Sequence, residues 1–242
     1  MYLLSQLTKT LKTITMKKPS VVSFLITLLL AAAVCIQGSE PVKDTAGNSL
    51  QPGKQYFIQP VQTGRYEGGG LVPSGIATFP TFCPLGITET RRRFEPGLPV
   101  SFASPLGVVE FVTTSSIVNI EFHSDDWPVC KEYSKLWKVD DSSSVPNMQA
   151  ITIGGTQLAQ NSQFKIEKAG TEANTYKFTS VTGAGTVGFT PQGFLQAPQI
   201  VLTNDNAKTL VVKFKKVDDA TTASTSTSRI DKLAALRMFP FY

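Results

Sequence analysis

One histidine, three cysteines and thinly spread carboxylates limit the chemistry open to this 242-residue chain. Hydrolysis through a serine or cysteine nucleophile needs an imidazole base, and His123, in the run His123-Ser124-Asp125-Asp126, is the sole candidate. No nucleophile-elbow sequence accompanies it, so a surface or turn histidine is expected. A metal centre needs several converging ligands, and one histidine with two paired cysteines leaves too few. Gly183-Ala184-Gly185-Thr186-Val187-Gly188 spells the dinucleotide fingerprint. That motif works only where a following helix offers its N-terminus to the pyrophosphate, and Pro191 and Pro198 oppose such a helix. Neither enzymatic activity nor a bound cofactor or metal is expected.

The cysteines point to a cross-link instead. Lys17 and Lys18 precede an apolar run from Val21 to Cys35, followed by Gln37, Gly38 and Ser39. The run is shorter than the about 18 to 20 residues that span a bilayer, so it reads as a secretory signal cleaved near Gly38 or Ser39. Residues 1–38 are therefore assigned as signal peptide, with Met1 to Thr15 an upstream extension if Met16 is the working start. Export places the mature chain where disulfides persist, either outside the cell or in the vacuole, with no membrane attachment once the signal is removed. Cys83 and Cys130 are the cysteines left outside the leader, and a bond between them closes a loop worth about 4 kcal/mol in chain entropy. Inside that loop lies the apolar, proline-stiffened segment Ser104-Pro105-Leu106-Gly107-Val108-Val109-Glu110. A clamped, extended segment of this kind suits being gripped by another protein.

The charge pattern excludes one class of partner. Four of the 23 basic residues, Lys9, Lys12, Lys17 and Lys18, fall in the leader, which has no acid; the remaining 19 face 18 acidic side chains, a net of +1. Nucleic-acid binding would need a concentrated basic face, and none is expected. Arg91-Arg92-Arg93 is the sharpest cluster and reads as a solvated run, with an arginine offered to a trypsin-like pocket or an anionic partner as the sharper alternative. Trp127 and Trp137 read as core or hairpin-cap aromatics rather than a carbohydrate platform.

These features must be held by strands, because no long stretch has helical periodicity. Short β-rich runs recur at Gln55–Ile58, Val108–Thr113, Ile117–Phe122, Leu136–Val139, Ala150–Ile153, Phe164–Glu167, Tyr176–Val181, Ile200–Thr203 and Leu210–Phe214. Alternation such as Val118-Asn119-Ile120-Glu121-Phe122 marks half-buried strands, and strands so spaced predict an all-β barrel or sandwich. Blocks of about 55 to 60 residues opening at Tyr56-Phe57-Ile58, Phe111 and Phe164-Lys165-Ile166 hint at a threefold repeat. After Val217 the Thr/Ser/Ala-rich stretch Asp218–Ser228 reads as a linker. Residues 218–242 are expected to be a flexible tail, with Ile230, Leu233 and Leu236 on one side of a short helix as the alternative.

Asp44-Thr45-Ala46-Gly47-Asn48-Ser49-Leu50-Gln51-Pro52-Gly53-Lys54-Gln55-Tyr56-Phe57-Ile58 soon after a signal peptide is followed, in order, by Cys83-Pro84-Leu85, Gly97-Leu98-Pro99-Val100-Ser101-Phe102, Ser104-Pro105 and Cys130. Leu136-Trp137-Lys138-Val139, Phe164-Lys165-Ile166-Glu167, Tyr176-Lys177-Phe178 and Leu210-Val211-Val212-Lys213-Phe214 complete the series. This collinear set resembles the plant Kunitz-type (soybean trypsin inhibitor-like) protease inhibitors. The resemblance implies a β-trefoil over residues 39–217, with twelve strands in a pseudo-threefold barrel capped by hairpins. It also implies that Cys83 and Cys130 form the family's first disulfide, and that the exposed loop enters a protease in extended form. A loop already held rigid loses little further entropy on binding.

Three departures qualify the activity. Gly107 or Val108 stands where trypsin-directed members carry Arg or Lys, the choice depending on whether one counts from Pro105 or back from Phe111. Pro52 replaces an asparagine whose amide props the loop, and proline has no N–H to offer. Ser180 and Val181 occupy the region of a second-disulfide cysteine, which leaves Gly183–Gly188 free to be a flexible loop. The expectation is thus a monomeric inhibitor of a non-tryptic serine endopeptidase acting through Ser104–Glu110. The alternative is a non-inhibitory, miraculin-like binding or storage protein of the same fold.

Overall fold

The computed structural model describes residues 39–218 except 62–68, 76–82, 93, 125–128, 146–147, 171, 184 and 191–197. The predicted signal segment and most of the predicted tail lie outside the described residues. Contacts divide the chain at Gly38, and the unit from Ser39 onward contains the hydrophobic core formed by the described residues.

Twelve strands are found among the described residues: β1 (Gln55–Pro60), β2 (Leu71–Ser74), β3 (Gly86–Glu89), β4 (Val100–Ala103), β5 (Ile117–Phe122), β6 (Trp137–Val145), β7 (Met148–Ile153), β8 (Phe164–Lys168), β9 (Tyr176–Ser180), β10 (Thr186–Thr190), β11 (Gln199–Thr203) and β12 (Val212–Lys216). Pairing runs β1–β4–β5–β8–β9–β12 and returns to β1, which closes a six-stranded antiparallel barrel. The hairpins β2–β3, β6–β7 and β10–β11 form the cap, where β3, β7 and β11 pair with one another. Three four-strand units thus repeat around one axis, and the fold is a β-trefoil.

Period-two patterning explains the barrel. Each barrel strand turns at least one aromatic ring inward: Tyr56, Phe102, Phe122, Phe164, Phe178 and Phe214 are all buried. Trp137, at the start of β6, packs against Phe122, Phe164 and Phe178 with ring centroids 5.5, 6.3 and 6.0 Å away. Phe214 meets Phe102 edge-on at 5.3 Å. Burying such rings removes large apolar areas from water, so this cluster dominates the core.

Three sequence expectations need correction. Val108–Thr113 is not a strand: its β-branched residues find no ladder partner until Thr113 bridges Pro41. The repeat units open at Gln55, Ile117 and Tyr176 rather than at Tyr56, Phe111 and Phe164, because Phe164 belongs to the strand that closes the second unit. Gly183–Gly188 is not a free loop. After a turn at Gly183, Thr186 begins β10, whose five residues pair fully with β11. A strand therefore follows the glycine stretch where a nucleotide site would need a helix.

Candidate functional site

The loop between β4 and β5 projects from a regular hairpin. Val100, Ser101, Phe102 and Ala103 pair with Phe122, Glu121, Ile120 and Asn119, and the chain leaves the ladder at Ser104. Ser104 and Pro105 are half-buried, whereas Leu106, Gly107, Val108, Val109 and Glu110 are exposed. Leu106 is 81% exposed, Val109 43%, and Val108 fully so. Ser104 Oγ accepts the Leu106 N–H at 3.2 Å, a local turn that sets the direction of the tip. Gly107 follows with φ +128°, a conformation that L side chains rarely adopt. A Cβ there would meet no neighbour, so conformation alone demands glycine.

Backbone bonds from distant segments pin both stems. On the outgoing side the Gly53 N–H donates to the Phe102 carbonyl at 3.0 Å. Pro52 offers no donor, and its neighbour supplies one to the strand entering the loop. On the return side Val112 is buried; its N–H donates to the Leu50 carbonyl at 2.9 Å and its carbonyl accepts the Val42 N–H at 2.9 Å. Thr114 and Glu40 exchange two further bonds, Thr114 N–H to the Glu40 carbonyl at 2.8 Å and Glu40 N–H to Thr114 Oγ1 at 3.1 Å. The props at Glu40, Val42 and Leu50 had no signal in the sequence beyond burial-prone Val42 and Leu50. Beside this stem Glu40, Lys43, Lys168, Glu172 and Tyr176 line an open cleft of about 530 Å³, in which Lys168 pairs with Glu40.

Cys83 and Cys130 are bonded, with Cα atoms 5.7 Å apart. The Cys130 carbonyl accepts the Tyr133 N–H, and Phe122 N–H reaches the Lys135 carbonyl. These bonds seat the disulfide beyond the Phe122 end of β5, while the loop springs from the Ile117 end. The covalent ring therefore encloses the loop in sequence, and the loop's local anchorage comes from the stems.

The remaining candidates fall into structural roles. His123 follows directly on β5 and is half-buried, its Nε2 2.7 Å from Ser101 Oγ. Burial holds the imidazole below its usual pKa; Glu121 opposes that shift and Lys135 adds to it. Ser101 is itself buried in the β4 ladder, so its hydroxyl cannot meet a substrate. Arg91 and Arg92 lie in an exposed turn, and Arg93 falls outside the described residues. The Arg92 carbonyl accepts both the Glu95 N–H and Thr90 Oγ1 at 3.1 Å. A closed turn with its carbonyl engaged is not the extended backbone that a protease reads. Trp137 is a core aromatic, Trp127 is outside the described residues, and no cluster of three or more His, Cys, Asp or Glu suited to a metal occurs among the described residues.

The trefoil has counterparts among known proteins. The sequence profile of the Kunitz legume family, described as "Trypsin and protease inhibitor", matches residues 42–216. The chain belongs to this Kunitz family. Kunitz trypsin inhibitor 2 of Arabidopsis thaliana is 61% identical over 213 residues, covering 87% of this Kunitz chain and 98% of that relative. Among solved structures, the water-soluble chlorophyll protein of Brassica oleracea var. Botrytis with chlorophyll b is 52% identical at TM-score 0.67, covering 74% of this chain and 99% of that one. Soybean trypsin inhibitor, at 24% identity and TM-score 0.60 over 74% of this chain and 100% of its own, shares the fold.

Proposed function

We propose that this Kunitz protein is an exported, monomeric inhibitor of a non-tryptic serine endopeptidase, with Ser104–Glu110 as the substrate-like contact. The observation that carries the reading is the full exposure of Val108 at the tip of a loop whose two stems are pinned. Gly107 has no side chain to offer and an unsuitable φ, so of the two candidate specificity positions Val108 is the one that can fill a pocket. A small, branched apolar residue suits an elastase-like pocket and cannot form the ion pair that an acidic trypsin pocket rewards. Preorganisation would let the loop bind without losing much further entropy. The test is incubation with elastase, chymotrypsin, subtilisin and trypsin, followed by mass spectrometry. Slow, single cleavage between Leu106 and Glu110 by one of the first three, with inhibition, supports the reading; no inhibition of any of them removes it.

A second reading, from the class of binding proteins, rests on one specific observation. Identity to the chlorophyll-carrying Brassica protein is 52%, against 24% to soybean trypsin inhibitor. The chain would then bind chlorophyll on the same scaffold. Mixing the folded protein with chlorophyll b in detergent, then gel filtration, separates the two: pigment absorbance co-eluting with a protease-silent protein favours this reading.

A further inference from the structure

The cap contains an ionisable group where the fold calls for an apolar one. Glu89 ends β3, opposite Leu71 of β2 in the antiparallel register, and opposed residues share a face of the sheet. Ile87, two residues earlier, shares it too, and Leu71 and Ile87 both belong to the apolar core. The carboxyl is thereby turned inward; Glu89 is 3% exposed, and its Oε2 has no hydrogen-bond partner among the described residues. Burial raises its pKa from the ordinary 4.5 to about 7, with no charged neighbour among the described residues contributing.

Nothing charged faces it from the strands packed around it. β2, β7 and β11 carry no ionisable residue. On the chain's own continuation Arg91 is exposed, and Arg92, 72% exposed, lies 3.6 Å from Glu95. With no cation facing it among the described residues, an inward carboxylate has to be hydrated, which requires something to move aside. Of the three strands that pair with β3, β2 is the one held by a single ladder. It pairs with β3 alone, has Pro73 in its middle, and is otherwise fastened by a few bonds, such as Leu98 N–H to the Leu71 carbonyl.

We propose that Glu89 is a proton-operated latch for β2: neutral, it lets the strand dock on β3; ionised, it makes the strand open locally while the six-stranded barrel stays closed. The latch lies in the cap hairpin and does not depend on how the β4–β5 loop is used. Between about pH 4.5 and 7 the docked hairpin keeps a proton that the opened one has lost. Opening is then favoured about tenfold per pH unit, roughly 300-fold in all, and levels off on either side.

Amide hydrogen exchange of the full chain, read by mass spectrometry from pH 4 to 8.5 and corrected for intrinsic rates, tests this. The expected result is protection in peptides covering 69–75 and 86–90 that falls with that slope and plateaus above about pH 7, while β8 and β9 peptides hold steady. Glu89→Gln should flatten the profile, and Glu89→Leu supplies the same comparison should the amide variant not fold. A flat profile in the parent overturns the latch. So does an unchanged slope in the neutral variants, or an equal fall across β8 and β9.

Discussion

Val108 concentrates the functional question into one side chain. Val108→Arg should create affinity for trypsin, because a guanidinium gives the acidic pocket a partner, and leaving such a buried charge unpaired costs about 2–5 kcal/mol. A competitive inhibition assay reads this directly. If parent and variant are equally inert to trypsin, and the parent also spares elastase, chymotrypsin and subtilisin, the loop is not the contact. Position 107 had looked equal to 108 by counting, since the segment counts differently from Pro105 and from Phe111. The proposed reading prefers Val108 because Gly107 has a φ of +128°, and a dihedral angle is not written in residue order. His123 carries a second prediction at this scale. Its depressed pKa, caused first by burial, means that the fold prefers the neutral ring, so its contribution is present above about pH 6.5 and is lost as pH falls below it. His123→Gln should remove that acid-side loss, as measured by urea midpoints between pH 7 and 4. An unchanged acid limb would contradict it.

At the scale of elements, the hairpin and the disulfide prove to be separate devices. Closing the 47-residue separation between Cys83 and Cys130 restricts the unfolded chain, so the Cys83→Ala, Cys130→Ala double variant should lose about 4 kcal/mol of stability. If the β4–β5 loop is the contact proposed above, its anchorage through Gly53, Leu50 and Val42 should preserve inhibition wherever that variant remains folded. Denaturant melts and an inhibition assay below the transition check both halves. Loss of inhibition by a folded double variant would show that the loop leans on the disulfide. Most barrel strands were legible because one face is apolar and alternation betrays it, as in Ile117–Phe122. Of the cap strands, β6, β7 and β11 were anticipated by the runs at Leu136–Val139, Ala150–Ile153 and Ile200–Thr203, whereas β2, β3 and β10 were not. β3 is buried throughout, β2 contains proline, and the glycine of β10 mimicked a loop. Val108–Thr113 misled in the other direction, since β-branched residues favour strands only where a neighbouring strand can receive them.

For the molecule as a whole, the aromatic cluster is the heart of stability. Trp137→Ala should cost about 3–5 kcal/mol, the range for deleting a large buried aromatic. Trp137→Phe should cost clearly less, because it keeps a ring among Phe122, Phe164 and Phe178 and removes a buried indole N–H that lacks a partner among the described residues. Thermal or urea melts order the two, and equal losses would mean that the ring contacts contribute little. The residue order alone determined an all-β chain, the pairing of two cysteines, the poverty of catalytic groups and the motifs of a Kunitz trefoil. The first three follow from composition, cysteine count and short-range periodicity, which survive in one dimension; the trefoil is what the resemblance of the collinear motifs to the Kunitz family implies. Tertiary structure decided which backbone groups prop the loop, how His123 meets Ser101, and that Glu89 turns inward opposite Leu71. Each depends on strand register between distant segments, and a slip of one residue would turn every side chain of a strand to its opposite face.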